Sequence, residues 1–447
     1  MTTDEAIASE LRPEGGPVYV RVADAIHSAV LAGRLQPGDR LPAQRALAAR
    51  LAVDFTTITR AYGLARERGL LEGEVGRGTF IRSTAGEEIR SVVDLSMNLP
   101  PQPFGVSLAA ALDEEMSRIL KRSDLAAVMA YRAPTGAAPE RAAGARWLEP
   151  LLGKAVDAAR VVVTAGAQAG LNAVMQVRLR PGDGLVVDDL TYPGLIAAAR
   201  QRGLRLITVE ADEEGMSPDA LEAACRNGAA RALYLVPTLY NPTAATLGEE
   251  RRRRLAQIAR RHDLTIIEDD AYGRLPDTPT PAVAVFAPER TFHVATLSKS
   301  LSPGLRTAFV VAPDEAAAKA VADAAHAQAM MPAPLMSAVF AGWMQTGAAE
   351  ALLAGVRTEA AARRAIAAEV LPTAQGGANS LHVWLDLPAR LDRLALAELA
   401  RERGLGVATS DLFAAGAPPN GLRLSLGAPG TRASLTRGLK ALAELTA

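Results

Sequence analysis

The sequence is poor in the features that mark several large classes of protein. It has one cysteine, Cys225, so no internal disulfide framework can form, and a reducing compartment suits it. No run of about 18 apolar residues occurs, so no membrane-crossing helix is expected. The opening MTTDEAIASELRPEGG lacks a basic stretch followed by an apolar one, so no secretory leader is read there and a cytoplasmic location is expected. Neither sign of charge is in excess: 49 Lys and Arg balance 49 Asp and Glu. The chain is therefore no polycation, and any affinity for nucleic acid must come from a local patch. No internal repeat at a fixed period is visible, and no metal site is expected.

What is present points to a globular protein of two or three domains. A length of 447 residues exceeds what one hydrophobic core supports, and 49% hydrophobic with 22% charged residues is a globular composition. The first unit is residues 17–82. VYVRVADAIHSAVLAG has apolar residues at helical spacing (Val18, Val22, Ile26, Val30) and a stop at Gly33. PGDRLP breaks the chain, AQRALAARLAV reads as a second helix, and FTTITRAYGLARERG as a third that ends at Gly69. LLEGEVGRGTFI then reads as two strands around a glycine-rich turn. Three helices and a hairpin in that order make a winged helix-turn-helix.

Such a module places one helix in the major groove while its neighbour and the wing hold phosphates. The third helix opens on Asp54-Phe55-Thr56-Thr57, an N-cap followed by short hydroxyl side chains able to reach phosphates or base edges. Between Pro17 and Arg82 there are ten arginines and six acids (Asp24, Asp39, Asp54, Glu67, Glu72, Glu74), a surplus of four. That footprint predicts salt-sensitive binding to DNA. The strings GRLQPGDRLP (33–42), QRALA (44–48), TITRAY (57–62) and GRGTF (76–80) resemble the GntR family of bacterial repressors across the whole module. The resemblance implies that Arg45, Thr56, Thr57 and Arg60 face double-stranded operator DNA, with Arg77 and Gly78 in the wing. Phe55 departs from the family: it stands where many relatives carry a DNA-contacting arginine.

From about 160 to 313 short apolar runs alternate with helical segments. The runs are VVVT (161–164), GLVVDD (184–189), LRLITVE (204–210), RALYLVP (231–237), LTIIEDD (264–270), TFHVATLS (291–298) and TAFVVAP (307–313). Runs with little polar alternation, separated by helices, argue for an α/β domain whose mainly parallel sheet is covered on both faces. The remainder, about 335 to 447, is helix-rich with isolated strands, SLHVWLDL and GLRLSLG, and reads as a smaller α+β subdomain.

The segment TLSKSLSPGLR (296–306) carries the most chemistry. A lysine just after an apolar strand, followed by Pro-Gly, can present a desolvated amine to an aldehyde. Thr296, Ser298 and Arg306 supply donors suited to a phosphate. A lone lysine near a turn is more often a surface residue, so other sites must agree, and three do. EDDAY (268–272) puts a carboxylate at the carboxyl end of a strand, where it can keep a pyridine nitrogen protonated. YNPT (240–243) offers an amide to a phenolic oxygen. AGAQA (165–169) places a glycine before a helix start, whose N–H groups bind phosphate.

These motifs, in this order, resemble the class I/II aminotransferases, the fold-type I enzymes of pyridoxal 5′-phosphate (PLP), from about residue 94 to the end. The resemblance implies that Lys299 forms a Schiff base with PLP, that Asp269 pairs with the pyridine nitrogen, and that Asn241 and Tyr272 hydrogen-bond the ring oxygen. It implies that Ala167, Gln168, Thr296, Ser298 and Arg306 hold the phosphate and that Tyr192 stacks on the ring. Tyr131 would reach the phosphate of a neighbouring subunit, implying a homodimer, and Arg423 would clamp a carboxylate with its planar guanidinium. Ala167 in place of a hydroxyl residue, Ala244 in place of glycine, and Pro139-Glu140-Arg141 in place of Leu-Arg depart from the pattern without touching Lys299, Asp269, Asn241 or Arg306.

A GntR-type module fused to this domain looks like the MocR subfamily of regulators. The expected layout is a DNA-binding domain over 1–82, a linker over 83–103, a large PLP-binding domain over 104–334 and a small domain over 335–447. The expected function is transcriptional regulation, with PLP or a small amino compound sensed through an aldimine at Lys299. A working aminotransferase with an accessory DNA-binding arm is the alternative, since the set of reactive residues is complete. A scaffold that no longer binds PLP is a third reading, disfavoured by Lys299 and Asp269.

Overall fold

A computed structural model of the chain describes residues 2–11, 16–36, 38–74, 78–82, 93–122, 124–153 and 156–446. The chain divides into two compact units. One comprises residues 1–95, 398–406 and 429–447; the other comprises 96–397 and 407–428. The division assigns 398–406 and 429–447 to the first unit, where the sequence alone reads them as part of a C-terminal subdomain.

The first unit opens with α1 (Thr3–Glu10), α2 (Val18–Leu31), α3 (Gln44–Leu51), α4 (Phe55–Glu67) and a hairpin of β1 (Leu71–Glu74) and β2 (Gly78–Ile81). The apolar stripe that marks α2 in the sequence is the one it buries. Val22 and Ile26 pack in a core with Leu35, Leu41, Leu47, Ile58, Tyr62, Leu71 and Ile81. Asp54 caps α4 by accepting from the Thr56 N–H at 2.8 Å, satisfying an otherwise orphaned donor. The buried Tyr62 hydroxyl donates to the Pro42 carbonyl at 2.9 Å and so ties α4 to the turn before α3. The helices α2, α3 and α4 with the hairpin form the winged helix-turn-helix that the sequence implied. In the same unit, Val93–Asp94 pairs in parallel with Leu405–Gly406.

The second unit is built on a seven-stranded sheet. Its strands are β3 (Val161–Thr164), β4 (Gly184–Asp188), β5 (Arg205–Val209), β6 (Ala230–Leu235), β7 (Thr265–Asp270), β8 (Thr291–Thr296) and β9 (Ala308–Val311). They lie in the order β3-β9-β8-β7-β6-β4-β5, and only β9 runs antiparallel to its neighbours. Every residue of β3, β4, β7, β8 and β9 is buried, which is why these strands read as unbroken apolar runs. A second, antiparallel sheet joins β10 (His382–Asp386), β11 (Ala408–Thr409) and β12 (Gly421–Ser425). This is the fold-type I aminotransferase architecture, a mainly parallel α/β sheet with a smaller sheet after it. No described helix is long and apolar enough to cross a membrane.

Candidate cofactor cleft and DNA-facing surface

The carboxyl ends of parallel strands are where α/β sheets bind ligands, and there the candidate residues meet. A cleft of about 260 Å³ is lined by ten of them: Ala167, Gln168, Tyr192, Asn241, Asp269, Tyr272, Thr296, Ser298, Lys299 and Arg306. Asp269 is the next-to-last residue of β7 and lies on the opposite face from Glu268 and Asp270, as strand alternation requires. One of its oxygens accepts from the Tyr234 hydroxyl at 2.7 Å, and the other is buried with no hydrogen-bond partner among the described residues. Burial raises its pKa to about 6, opposed by the Tyr234 hydrogen bond. A buried, half-satisfied carboxylate of this kind suits a protonated ring nitrogen. On the other face of β7, His293 sits 3.1 Å from Glu268 and 3.7 Å from Asp270.

Lys299 lies three residues past the end of β8. Its amine donates to the Asn98 carbonyl at 2.5 Å. Burial, with Arg423 nearby, lowers its pKa to about 8, while Asp269 works the other way. A neutral, nucleophilic amine is thus available near physiological pH.

The phosphate end is built around Gly166. This residue has φ of +86° and precedes the helix α5 (Ala167–Arg178), whose first N–H groups carry no side-chain cap. A Cβ at Gly166 would lie 2.7 Å from Nη2 of Arg306. Arg306 itself donates to the Ala165 carbonyl at 3.2 Å. Glycine is what lets the guanidinium lie across the helix N-terminus, and together they form an anion cradle. The Thr296 hydroxyl donates to Ser298 Oγ at 3.0 Å and accepts from the Ser298 N–H. Gln168 donates to the Gly194 carbonyl at 2.8 Å, and its Oε1 is buried without a hydrogen-bond partner among the described residues. The orphaned Asp269 oxygen, a cationic cradle and a depressed amine fit pyridoxal phosphate: acceptor for ring nitrogen, donors for phosphate, nucleophile for aldehyde.

Arg423, on β12, is buried; it donates to the Ser96 carbonyl and, at 3.4 Å, to Asn241 Oδ1. Its guanidinium lies over the Phe413 ring at 5.2 Å. Tyr131 is 80% exposed and is not among the residues lining the cleft of its own chain.

Sequence reasoning missed Tyr234, Asn98 and His382. Asn98 lies in the stretch 83–103 read as linker, yet Met97, Asn98 and Leu99 line the cleft. Tyr234 lies inside a strand read as apolar core, and its pairing opposite Ile267 puts it on the face of Asp269.

On the helix-turn-helix, Arg45, Thr56 and Arg60 are exposed and Thr57 is half-buried. The Thr56 hydroxyl donates to Asp54 at 2.5 Å, so its proton serves the helix cap and its oxygen remains an acceptor. Arg45 stacks over the Phe55 ring at 5.8 Å and Arg60 over Tyr19 at 4.9 Å. Gly78, at φ +123°, lets the Arg40 guanidinium approach the hairpin. Arg77 lies outside the described residues.

Residues 90–442 match the family Aminotransferase class I and II. The chain belongs to that family. Residues 18–81 match the bacterial regulatory proteins of the gntR family, and the two together have the domain order of the MocR subfamily. The chain is 29% identical to the uncharacterized HTH-type transcriptional regulator YdeF of Bacillus subtilis, over 96% of this chain and 94% of that one. It is 28% identical to the vitamin B6 salvage pathway transcriptional repressor PtsJ of Salmonella typhimurium, over 92% and 94%. Among solved structures it resembles LysN, the α-aminoadipate aminotransferase of Thermus thermophilus, complexed with N-(5′-phosphopyridoxyl)-L-leucine. The TM-score is 0.72 at 27% identity, covering 85% of this chain and 96% of that one.

Proposed function

We propose that the chain is a PLP-holding transcriptional regulator whose DNA binding responds to PLP or to a small amino compound that engages the cofactor at Lys299. The observation that carries this reading is the joining, in one chain, of a gntR-type module with exposed Arg45, Thr56 and Arg60 to a cleft that retains Lys299 and Asp269. Bound PLP supplies an electrophilic carbon to amines. In this reading Lys299 is its covalent anchor and Asp269 holds the ring nitrogen protonated. Asn241 and Tyr272 donate to the ring oxygen, and Tyr192 stacks on the ring. Ala167, Gln168, Thr296, Ser298 and Arg306 hold the phosphate, and Arg423 receives a carboxylate. Tyr131, exposed on its own chain, reaches the phosphate of a partner in a homodimer. On DNA, Arg45, Thr56, Thr57 and Arg60 face the operator, with Arg77 and Gly78 in the wing. An effector acts only if it binds two arrangements of the protein unequally.

The test pairs two titrations on the full-length chain. Affinity for DNA upstream of its own gene is measured with and without PLP and a panel of amino compounds, while the cofactor absorbance is followed. A spectral shift that accompanies a change in affinity supports the reading; absence of salt-sensitive DNA binding overturns it. A second reading, a working aminotransferase, is favoured by the depressed Lys299 amine beside a buried Arg423. Rapid amino-group exchange between an amino acid and a keto acid would support it.

A further inference from the structure

Asn98 and His382 come from stretches that the cofactor reading does not use, yet they meet behind Tyr272. The Asn98 side chain is buried, and its amide nitrogen donates to the Tyr272 hydroxyl oxygen at 3.0 Å. The same nitrogen lies 3.1 Å from Nδ1 of His382. His382, fully buried at the start of β10, has its Nε2 3.1 Å from the Tyr240 carbonyl. A carbonyl oxygen only accepts, so Nε2 carries the proton and Nδ1 is left as an acceptor. Burial, with Arg423 and Lys299 nearby, lowers the imidazole pKa to about 3, so the ring is neutral at any pH of interest.

One orientation of the Asn98 amide survives these constraints. Turned over, its oxygen would face the lone pair of Nδ1, acceptor against acceptor. The observed orientation uses both N–H groups and leaves Oδ1 buried without a hydrogen-bond partner among the described residues. That is an unfavourable feature, retained where something depends on it. Asn98 therefore donates in two directions, to Nδ1 of His382 and to the Tyr272 oxygen, and His382 fixes which way the amide is turned. Because the Tyr272 oxygen accepts from Asn98, its own proton has to be given elsewhere.

We propose that Asn98 and His382 are positioning residues that make Tyr272 an obligate hydrogen-bond donor into the cleft, directed at the ring oxygen of the bound cofactor. The proposal rests on the cofactor reading of this cleft and deepens it. A donor aimed at that oxygen stabilises its anionic form, and so lowers the pH at which the cofactor attached to Lys299 loses its proton and changes colour. The other groups that face Tyr272 are Asp269 on β7, Tyr192 after β4 and Arg423 on β12. Lys299, after β8, faces His382, as does Arg423. All of these are left intact in the variants below.

The experiment is a spectral pH titration of the full-length, PLP-loaded protein. In Asn98→Asp the carboxylate only accepts, and it takes the Tyr272 proton from the cofactor; the midpoint should rise by about one pH unit. His382→Phe should raise it by less, and His382→Gln, whose amide offers one acceptor and one donor, should restore the wild-type value. Tyr272→Phe should raise it too, and adding His382→Phe to that variant should change nothing further. Variants that lose thermal stability while keeping the wild-type midpoint would overturn the proposal, as would a further shift from His382→Phe in the absence of the Tyr272 hydroxyl. If Asn98→Asp does not fold, the His382 pair and the double variant decide. A wild-type protein with no cofactor band would refute the cofactor reading itself, an outcome distinct from an unmoved midpoint.

Discussion

Lys299 shows how burial turns an ordinary side chain into a reagent. Removal from water disfavours its charge, Arg423 adds to that effect, and Asp269 only partly offsets them. With a pKa of about 8, the rate at which cofactor-stripped protein takes up PLP should rise with pH and level off above about 8. An unperturbed lysine would go on gaining to above pH 10, about tenfold per unit. Stopped-flow absorbance between pH 6 and 10 measures this; a rate still climbing at pH 9.5 would contradict the assignment. Lysine and aspartate were legible in the sequence because each sits at a strand end within a short motif. Asn98 and His382 were not. They are 284 positions apart, and Asn98 meets Tyr272 across 174. A histidine in an apolar strand reads as core, and an asparagine in a Pro-rich stretch reads as linker; only folding makes them neighbours.

At the scale of elements, backbone conformation does as much as side chains. Gly166 occupies a left-handed conformation with Arg306 in the space a Cβ would need. Gly166→Ala should cost at least about 1 kcal/mol in stability through strain alone. It should also weaken PLP retention several-fold by displacing the guanidinium, which equilibrium dialysis would read. Tyr62→Phe in α4 removes one hydrogen bond to the turn before α3 and should lower the stability of the helix-turn-helix by about 1 kcal/mol. Thermal melts followed by circular dichroism, with the absorbance of the cofactor as a separate reporter, check that the loss stays in that element. Three helices could be read in advance: α2 from its apolar spacing, α4 from its cap at Asp54 and its stop at Gly69, and α5 from the glycine before it. The ladder of Val93–Asp94 with Leu405–Gly406 could not, since two residues carry no period.

For the whole molecule the balance of charge matters. The chain is neutral overall, so attraction to DNA must come from the arginine surplus of the helix-turn-helix. Affinity should fall steeply and linearly in log–log terms as salt increases, with a slope that drops by about one for each phosphate-contacting arginine removed. Arg45→Ala and Arg60→Ala test this by fluorescence anisotropy. Lys299→Ala should leave the slope and basal affinity intact while abolishing the response to amino compounds; equal loss of both would argue against a sensor separate from the reader.

The lowered amine of Lys299 has a practical consequence in so arginine-rich a chain. The sequence has only Lys121, Lys154, Lys299, Lys319 and Lys440, and Lys299 among them has its pKa lowered, to about 8. Borohydride added to the PLP-loaded protein at that pH should fix one mass increment per chain, at one peptide. With that outcome the protein would carry its own stoichiometric tag, by which the loaded fraction of a cellular pool could be counted without an antibody or a known effector.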